Sequence, residues 1–510
     1  MAQPSLAELT LAAASADEPG FITAGKTKFG GVDPLGLRQI NFNLMDEVFP
    51  GLNNVARHIR PFVVVAWAWR RANQLAQALG VNVIKQGQLE DFVDRIEVLY
   101  VLSQVLRKKD ADLPGRQYLA PWLKEAEFKF GGAKWHQRRK ERRYSTALSA
   151  PINYGPGLKM LGWVSPHPQY PGVMIPNPAA TPALDALEAQ IADVLGHEAF
   201  STFGPVSVTR NEAQLWADLW PLDGITDAEA QVMGELLLGS SAPVCRRLAG
   251  QLMLSAAAHV KSANAGRLRA AMAGSPSDFA PREHLLEIRD AWRRVQVRQL
   301  FRLSLEALFH WTTLTLGGPP RSIDSLVSGF LDQVPRPARI TNAREWVQSL
   351  SPSNAGPTEL MARIQQALAV PTDGDLPHSI AAGLGFCLME VPHGESNPEQ
   401  PERLPLSRAR KEAAARGGDT VDEFMRHILE SWMLAQHAYW SVGRGLADAR
   451  ARGRMLLRLR IILDEGGWTL TPGAPLGSLP QPTPDRLQTA ITLAAECGLL
   501  DQPTTEGADA

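Results

Sequence analysis

Residues 282–316, REHLLEIRDAWRRVQVRQLFRLSLEALFHWTTLTL, decide the fold class, because their apolar side chains recur with the period of an α-helix. Three arginines recur at every fourth position of this predicted helix: Arg294, Arg298 and Arg302. They span about 80° of one helix face at roughly 100° per residue. We interpret them as a polar stripe facing solvent, opposite an apolar face that contains Trp292, Leu300 and Leu303.

A second segment, NNVARHIRPFVVVAWAWRR at 53–71, predicts a half-buried helix with a basic entrance. Pro61 suits the first turn of a helix, because its missing N–H has no partner there in any case. The uncharged run covers only nine residues, 61–69, whereas a membrane span needs about 20. We expect Val64 and Trp67 to lie in the core, and Arg57 and Arg60 to lie at a surface or inter-domain groove.

Most of the remaining chain predicts helices. Helical spacing continues over 89–106, over most of 181–370 and near the C-terminus, where Thr420 and Glu423 have capping-box spacing. Residues 455–471 instead alternate and contain a DEGG turn, which predicts a β-hairpin. The predicted fold is therefore mainly α and multi-domain, with a small β-hairpin element near the C-terminus.

A length of 510 residues suggests about two to four domains. Pro-rich and Gly-rich stretches and changes of charge divide the chain into the following predicted segments: a disordered N-terminal segment at 1–30, a basic N-terminal domain at 31–165, a Pro-rich linker or loop at 166–180, a helical middle domain at 181–370, a Pro/Gly-rich loop at 371–418, a helix-hairpin-helix unit at 419–500 and an acidic tail at 501–510.

Net charge is only −1, but it is distributed unevenly. Residues 31–165 contain 20 lysines and arginines against 12 aspartates and glutamates, so this segment has an excess of eight positive charges. The 3 cysteines lie far apart, which is typical of neither a disulfide framework nor a CxxC zinc site. Together with an N-terminus that lacks a basic signal-peptide start, this predicts a soluble cytoplasmic protein without contact to a membrane.

Motifs for common enzyme chemistry are missing from the sequence. It contains no P-loop GxxxxGK[ST], no HExxH, no GxSxG and no GxGxxG after a strand. Glu127 and Lys129 match the end of a metal-dependent nuclease pattern, but their surroundings predict helix rather than the strands that this pattern requires. We therefore predict no metal and no cofactor, and no catalytic residue can be named.

Two basic segments are candidate anion-binding sites. The first is the hinge of Arg57, His58 and Arg60, which precedes a helix N-terminus where free N–H groups favour an anion. The second is the run KFGGAKWHQRRKERRY at 129–144, in which aromatic residues interleave with cations. This mixture suits phosphate contacts and base stacking. The predicted nucleic-acid-binding residues of this run are Lys129, Lys134, Trp135, Arg138, Arg139, Lys140, Arg142 and Arg143.

Each site has a plain structural alternative. The hinge arginines could pair with acidic residues of a neighbouring helix, and the run at 129–143 could form a solvated basic helix face. In the run, seven cations accompany a single acid, Glu141. Such like charges repel one another, so either acids from the negative remainder of the chain or an external anion must balance them.

The segment GVDPLGLRQINFNLMDEVFPGLNNVARHIRPFVVVAWAW at 31–69 resembles the N-terminal signature of a group of large uncharacterised bacterial proteins encoded among phage-defence genes. The signature comprises D-P-L-G, a P-G-L-N-N turn and the R-H-I-R-P hinge followed by an aromatic-apolar run. Later segments are also similar: FRLSLEALFHW, HILESWMLAQHAYWSVGR and LRLRIILDEGGW.

This resemblance implies a role in antiviral defence, with protein partners encoded in the same gene cluster, but it transfers no catalytic residue. The leading hypothesis is a non-catalytic subunit that contacts nucleic acid or an acidic partner through its basic N-terminal domain. One alternative is a metal-dependent nuclease whose active-site carboxylates are dispersed in sequence. The other is a purely structural protein-protein scaffold.

Overall fold

The structure is a computed structural model. It describes the following residues, and every structural statement below refers to them: 17–21, 33–80, 86–142, 145–274, 278–334, 336–350, 355–370, 375–390, 403–452, 454–472 and 478–501.

The protein is mainly α-helical, as the sequence predicted. The α-helices are Arg38–Val48, Ile59–Leu79, Gln86–Arg107, Arg116–Leu119, Gly132–Arg142, Gly155–Met160, Thr181–Gln190, Glu198–Ser201, Arg210–Trp216, Asp227–Leu238, Val244–Val260, Ala265–Ala273, Leu286–Thr315, Ile323–Leu331, Ala343–Leu350, Pro357–Ala369, Asp375–Met389, Leu406–Ala415, Val421–His427, Ala435–Arg452 and Leu487–Glu496. Short 3-10 helices are Ala120–Lys124, Pro178–Ala180, Ala192–Val194 and Glu283–Leu285, and Ile428–Leu434 is a π-helix.

Strands occur only in two-stranded pairs within the described residues. Three pairs are antiparallel: Glu127–Phe130 with Val206–Thr209, Val164–Pro166 with Met174–Pro176, and Ile461–Asp464 with Gly467–Leu470. The last pair confirms the predicted C-terminal hairpin and its DEGG turn. Arg454–Leu457 does not belong to that hairpin but pairs in parallel with Asp17–Phe21.

The chain divides into two compact units, each assembled from separate stretches of sequence. Unit 1 comprises Met1–Leu44, Met272–Asp278 and Arg289–Thr483. Unit 2 comprises Met45–Ala271, Phe279–Ile288 and Pro484–Ala510. None of the described helices is both long and apolar enough to cross a bilayer.

Aromatic side chains pack against one another in the core of unit 2. Phe62, on the helix Ile59–Leu79, lies with its ring centroid 4.8 Å from that of Tyr154. Trp67 is fully buried and lies edge-on to Phe200 at 6.2 Å. Because Val64 is also fully buried, the expected core position of the 53–71 segment is confirmed.

The core of unit 1 surrounds the helix Leu286–Thr315, which the sequence predicted over 282–316. Phe301 and Leu308 of this helix belong to one cluster with Phe424 and Trp432, and all four side chains are fully buried. The helix carrying Phe424 starts at Thr420, whose hydroxyl and the Glu423 carboxylate form the predicted capping box.

Several predicted segment boundaries differ from the structure. The expected loop at 371–418 contains the helices Asp375–Met389 and Leu406–Ala415. The expected linker at 166–180 carries the strand Met174–Pro176 and the 3-10 helix Pro178–Ala180 of unit 2. These elements were missed because proline is accepted at helix starts and in edge strands.

The expected C-terminal unit at 419–500 is also divided, because Leu487–Glu496 belongs to unit 2 and the hairpin to unit 1. Unit 2 likewise extends well beyond the end of the expected basic domain at 31–165. The N-terminal segment contributes the strand Asp17–Phe21, and the rest of 1–30 lies outside the described residues. Nearly all of the acidic tail at 501–510 does so too.

Candidate functional site

The basic run forms the helix Gly132–Arg142, which turns its arginines inward and its lysines outward. Trp135 and Arg142 are buried, and Arg138 and Arg139 are partly covered on either side of them. The exposed face carries Lys134, His136, Gln137, Lys140 and Glu141. The run is therefore an amphipathic helix whose buried side is unusually rich in arginine.

Acidic side chains of unit 2 pair with two of the inward arginines, Arg138 and Arg139. The guanidinium of Arg139 pairs with Asp94 and lies 3.2 Å from Asp91, both on the neighbouring helix Gln86–Arg107. Arg138 lies 2.8 Å from Glu125 and stacks over the ring of Trp122 at 3.7 Å. Acids of the same chain thus neutralise Arg138 and Arg139, which is the first of the two ways of balancing the run that the sequence left open.

Trp135 is not available for base stacking, so its expected role is corrected. Its ring is 1% exposed, packs edge-on to Phe130 and Trp122, and donates from Nε1 to Asp91 at 2.6 Å. An expectation of surface contact is also wrong for Arg142, which is buried. Arg143 and Tyr144 lie outside the described residues.

Three lysines of the predicted site remain at the surface. Lys129 and Lys134 are 74% and 73% exposed, each 3.3 Å from a glutamate. Pairs this exposed contribute little to stability and leave the ammonium groups open to other anions. Lys140 is exposed as well and forms no ion pair with another described residue. Of the residues of this run that were predicted to bind nucleic acid, these three lysines are exposed as expected.

The hinge also uses an internal carboxylate where an external anion was expected. Glu496 accepts from the backbone N–H of Ile59 at 2.8 Å and contacts Nδ1 of His58 at 2.6 Å. It therefore occupies the N-terminus of the helix Ile59–Leu79, where free N–H groups attract negative charge. Arg57 is half exposed and lies 3.7 Å from Asp112, so it remains accessible.

Arg60 lies in the core rather than at a surface or groove, which corrects its expected role. Its guanidinium is fully buried 3.0 Å from the equally buried Glu229. It also donates to Gln190 at 2.6 Å and to the carbonyl oxygen of Gly224. A guanidinium with this many internal acceptors is a structural cation of unit 2.

His58 gives the hinge a pH dependence. Burial alone lowers the pKa of its imidazole, but Asp112 and Glu496 outweigh burial and raise the pKa to about 9. A raised pKa stabilises the folded state fully below the ordinary value near 6.5, and this contribution disappears as the pH rises through about 9.

We therefore expect the free energy of unfolding to fall by about 2–3 kcal/mol between about pH 6 and about pH 9.5 on account of His58. Urea unfolding of the wild type and of His58→Gln at both pH values measures this contribution. The glutamine variant should lack it, so the difference between the two proteins should shrink as the pH rises. A difference that does not change with pH would contradict the proposed charge on His58.

The nuclease-like pair Glu127 and Lys129 lies on a strand, not in the helical surroundings that the sequence suggested. Lys129 Nζ lies 3.3 Å from Glu127 Oε2, and both side chains face solvent. In the described part of the chain, no group of three His, Cys, Asp or Glu side chains is placed to hold a metal ion. Among the described residues, no such metal-binding group therefore includes Glu127.

A third site, in unit 1, was not predicted. A small, partly open pocket lies beside the helix Leu286–Thr315. Its lining residues are Pro34, Arg38, Glu306, Phe309, His310, Arg460, Ser478, Leu479 and Pro480. Glu306 is buried, and its Oε2 lies 2.6 Å from Arg302 Nη1 and 3.9 Å from Arg38 Nη2.

The D-P-L-G motif builds one wall of this pocket. Asp33 accepts from the backbone N–H groups of Leu37 and Arg38 at 2.9 and 3.3 Å, which caps the helix that carries Arg38. Gly36 has a φ of +70°, and a Cβ there would lie 2.4 Å from the ring of Trp440. Only glycine therefore fits this turn, and the motif fixes where Arg38 emerges.

The sequence contains a signal for this pocket, and the prediction of a solvent-facing arginine stripe is wrong. Arg298 and Arg302 were expected on a solvent-facing stripe, whereas both are buried. Glu306 continues their four-residue spacing, so the stripe holds its own countercharge. A stripe of arginines that continues with an acid at the same spacing is the pattern that could have indicated an internal polar site, because buried charges are normally paired.

Comparison with protein-family models, curated protein sequences and solved structures gives no significant match.

Proposed function

We propose that this chain is a non-catalytic subunit of a bacterial antiviral defence system, which binds nucleic acid or an acidic partner through exposed lysines of unit 2. The resemblance of residues 31–69 to the phage-defence group supports the biological setting. The placement of Lys129, Lys134 and Lys140 supports the mode of contact. A cytoplasmic location and further protein partners from the same gene cluster belong to this proposal.

The proposal rests on a difference in exposure along the helix Gly132–Arg142. Its lysines are exposed, whereas its arginines are partly or fully buried. A lysine keeps a compact, strongly hydrated charge on a flexible stem, which suits contacts to phosphate that do not depend on base sequence. Lys134 and Lys140 have this exposure on the helix Gly132–Arg142, and Lys129 lies on the strand just before it. Such a surface favours binding to a polyanion without specific base recognition.

Replacing Lys129, Lys134 and Lys140 together with glutamine should flatten the salt dependence of nucleic-acid binding. Each neutralised phosphate contributes a slope of about −0.9 on duplex DNA, so we expect the slope to change by about two to three units. Fluorescence anisotropy at several salt concentrations, with duplex and single-stranded DNA and with RNA, measures this slope.

The matched control replaces three other exposed lysines of unit 2, Lys108, Lys109 and Lys159, with glutamine. It removes the same charge, so a general electrostatic effect would alter both variants equally. Equal slopes for the two variants, or a wild type that does not bind at low salt, would remove the nucleic-acid proposal.

A scaffold without nucleic-acid binding is the second candidate, and the internal pairing of the arginines favours it. Arg138 and Arg139 are the strongest phosphate-binding groups of the run, yet carboxylates of the same unit already contact both. If the wild type fails to bind any of the three nucleic acids, this candidate becomes the leading one.

A further inference from the structure

The strand Arg454–Leu457 of unit 1 is a short edge strand that pairs with one other strand. Its partner is Asp17–Phe21, which runs parallel to it, and the described part of the chain adds no third strand to this pair. Just beyond the edge strand, the backbone N–H of Arg458 donates to Ser441 Oγ at 2.7 Å. Because Ser441 belongs to the helix Ala435–Arg452, this bond holds the end of the edge strand in place without involving Asp17–Phe21.

Asp17–Phe21 is a weakly held occupant of this edge. Parallel pairing is slightly less stable per residue than antiparallel pairing, and a single pair of strands is marginally stable at best in water. Pro19 has no backbone N–H to donate, and the register shifts between Asp17 and Gly20. Another extended segment with a regular register would therefore pair with Arg454–Leu457 at least as well.

The charge of the two strands indicates which kind of segment fits the edge. Residues 450–460 contain five arginines and no aspartate or glutamate. Residues 1–25, which include the present occupant, contain three acids and no lysine or arginine. The parallel register places Asp17 opposite Arg454. Complementary charge across an interface favours the matching partner and disfavours like-charged ones, so this edge favours an acidic segment.

We propose that the strand Arg454–Leu457 binds an extended acidic segment of a partner protein by β-augmentation, and that Asp17–Phe21 is the chain's own competitor for the same edge. Main-chain hydrogen bonds of the added strand supply affinity, and the arginines select for acidic residues. Occupation by Asp17–Phe21 lowers the apparent affinity for the partner, because only molecules with a vacant edge can bind it. The edge is separate from the lysines of unit 2, and the proposal does not depend on them.

Fluorescence anisotropy of the full chain with a labelled peptide of residues 13–24, AASADEPGFITA, tests this edge. The double variant Gly20→Pro, Phe21→Pro disables the internal strand, because it removes two consecutive N–H groups and one of them faces the neighbouring strand. This variant should bind the peptide at least about tenfold more tightly than the wild type does. No peptide binding by the variant, or equal binding by the two proteins, would overturn the proposal.

Two further peptides, methylated on the backbone nitrogen of Gly20 or of Phe21, test whether the peptide binds as a strand. Consecutive N–H groups of a strand point to opposite edges, so only one of the two methyl groups replaces a hydrogen bond to the protein. One peptide should therefore bind at least about fivefold more weakly than the unmodified peptide, and the other within about twofold of it. Equal effects of the two methyl groups would contradict β-augmentation.

Charge reversal locates the peptide on the edge strand. In the double-proline background, Arg454→Glu should weaken binding of the unmodified peptide at least about fivefold, and a peptide with Asp17→Lys should recover most of this loss, because opposite charges on paired strands attract and like charges repel. The matched control Arg336→Glu reverses an exposed arginine elsewhere in unit 1 and should leave the affinity within about twofold. If Arg454→Glu behaves like Arg336→Glu, the peptide binds elsewhere and the assignment is wrong.

Light scattering of the wild type at several concentrations distinguishes a partner protein from a second copy of this chain. We expect a monomer, in which the edge holds the chain's own strand until a partner displaces it. A dimer that the double-proline variant dissociates would show that copies exchange this strand, and it would overturn the assignment to a partner.

Discussion

Replacing Arg60 with methionine should lower the free energy of unfolding of unit 2 by about 3–5 kcal/mol. The guanidinium is fully buried 3.0 Å from the carboxylate of Glu229, which is itself fully buried. Methionine fills similar volume but leaves this carboxylate uncompensated in the core, and that is the costly part of breaking a buried pair. Urea unfolding followed by circular dichroism measures the loss.

The double variant Arg60→Met, Glu229→Gln provides the control. Glutamine can still close the capping box that Glu229 forms with Thr226, and it removes the uncompensated charge. We expect the double variant to recover at least half of the lost stability. A single variant within about 1 kcal/mol of the wild type would show that Arg60 is not buried as described, because that is the scale of a surface change.

Replacing Trp135 with alanine should cost about 3–5 kcal/mol, as expected for removal of a large buried aromatic residue. The ring fills the space between Phe130 and Trp122, and its Nε1 holds Asp91 beside Arg139. The substitution therefore leaves a cavity. It also removes the hydrogen bond that positions Asp91 beside Arg139. Lys134→Ala, one residue earlier on the exposed face, should change stability by less than about 0.5 kcal/mol.

The sequence predicted the main helices well because their signals are local. Thr420 and Glu423 are three residues apart, and the hydroxyl and carboxylate of a capping box need no distant partner. The helix Leu286–Thr315 likewise follows from the spacing of apolar residues within it. The strand Glu127–Phe130 was missed because it pairs with Val206–Thr209, far along the chain, and four residues alone have no distinctive period.

The candidate sites were predicted less well, because the sign of a charge does not reveal its partner. Glu496 lies more than 400 residues from His58, and nothing near the hinge indicates that this carboxylate fills the helix N-terminus. The aspartates that neutralise Arg139 occur on a different helix. The excess of positive charge is therefore real in sequence, but on the helix Gly132–Arg142 the lysines are exposed and the arginines are partly or fully buried.

The arginines and lysines of the basic run have different physical properties, and a count of positive charges does not distinguish them. The planar guanidinium of arginine stacks on aromatic rings and is hydrated more weakly than an ammonium group, so it tolerates partial burial. Arg138 over Trp122 illustrates this property. The spacing Trp135, Arg138, Arg139 and Arg142 defines one helix face, and this periodicity could have indicated an inward arginine face.

The inward orientation of the arginine face is tested by measuring the stability and the single-stranded DNA affinity of one variant, Trp135→Ala, under conditions where it remains folded. We expect a loss of about 3–5 kcal/mol in the free energy of unfolding and an unchanged affinity, because the ring lies inside the protein. A stability close to that of the wild type, with affinity weakened by the roughly 1–3 kcal/mol typical of a lost stacking partner, would contradict it.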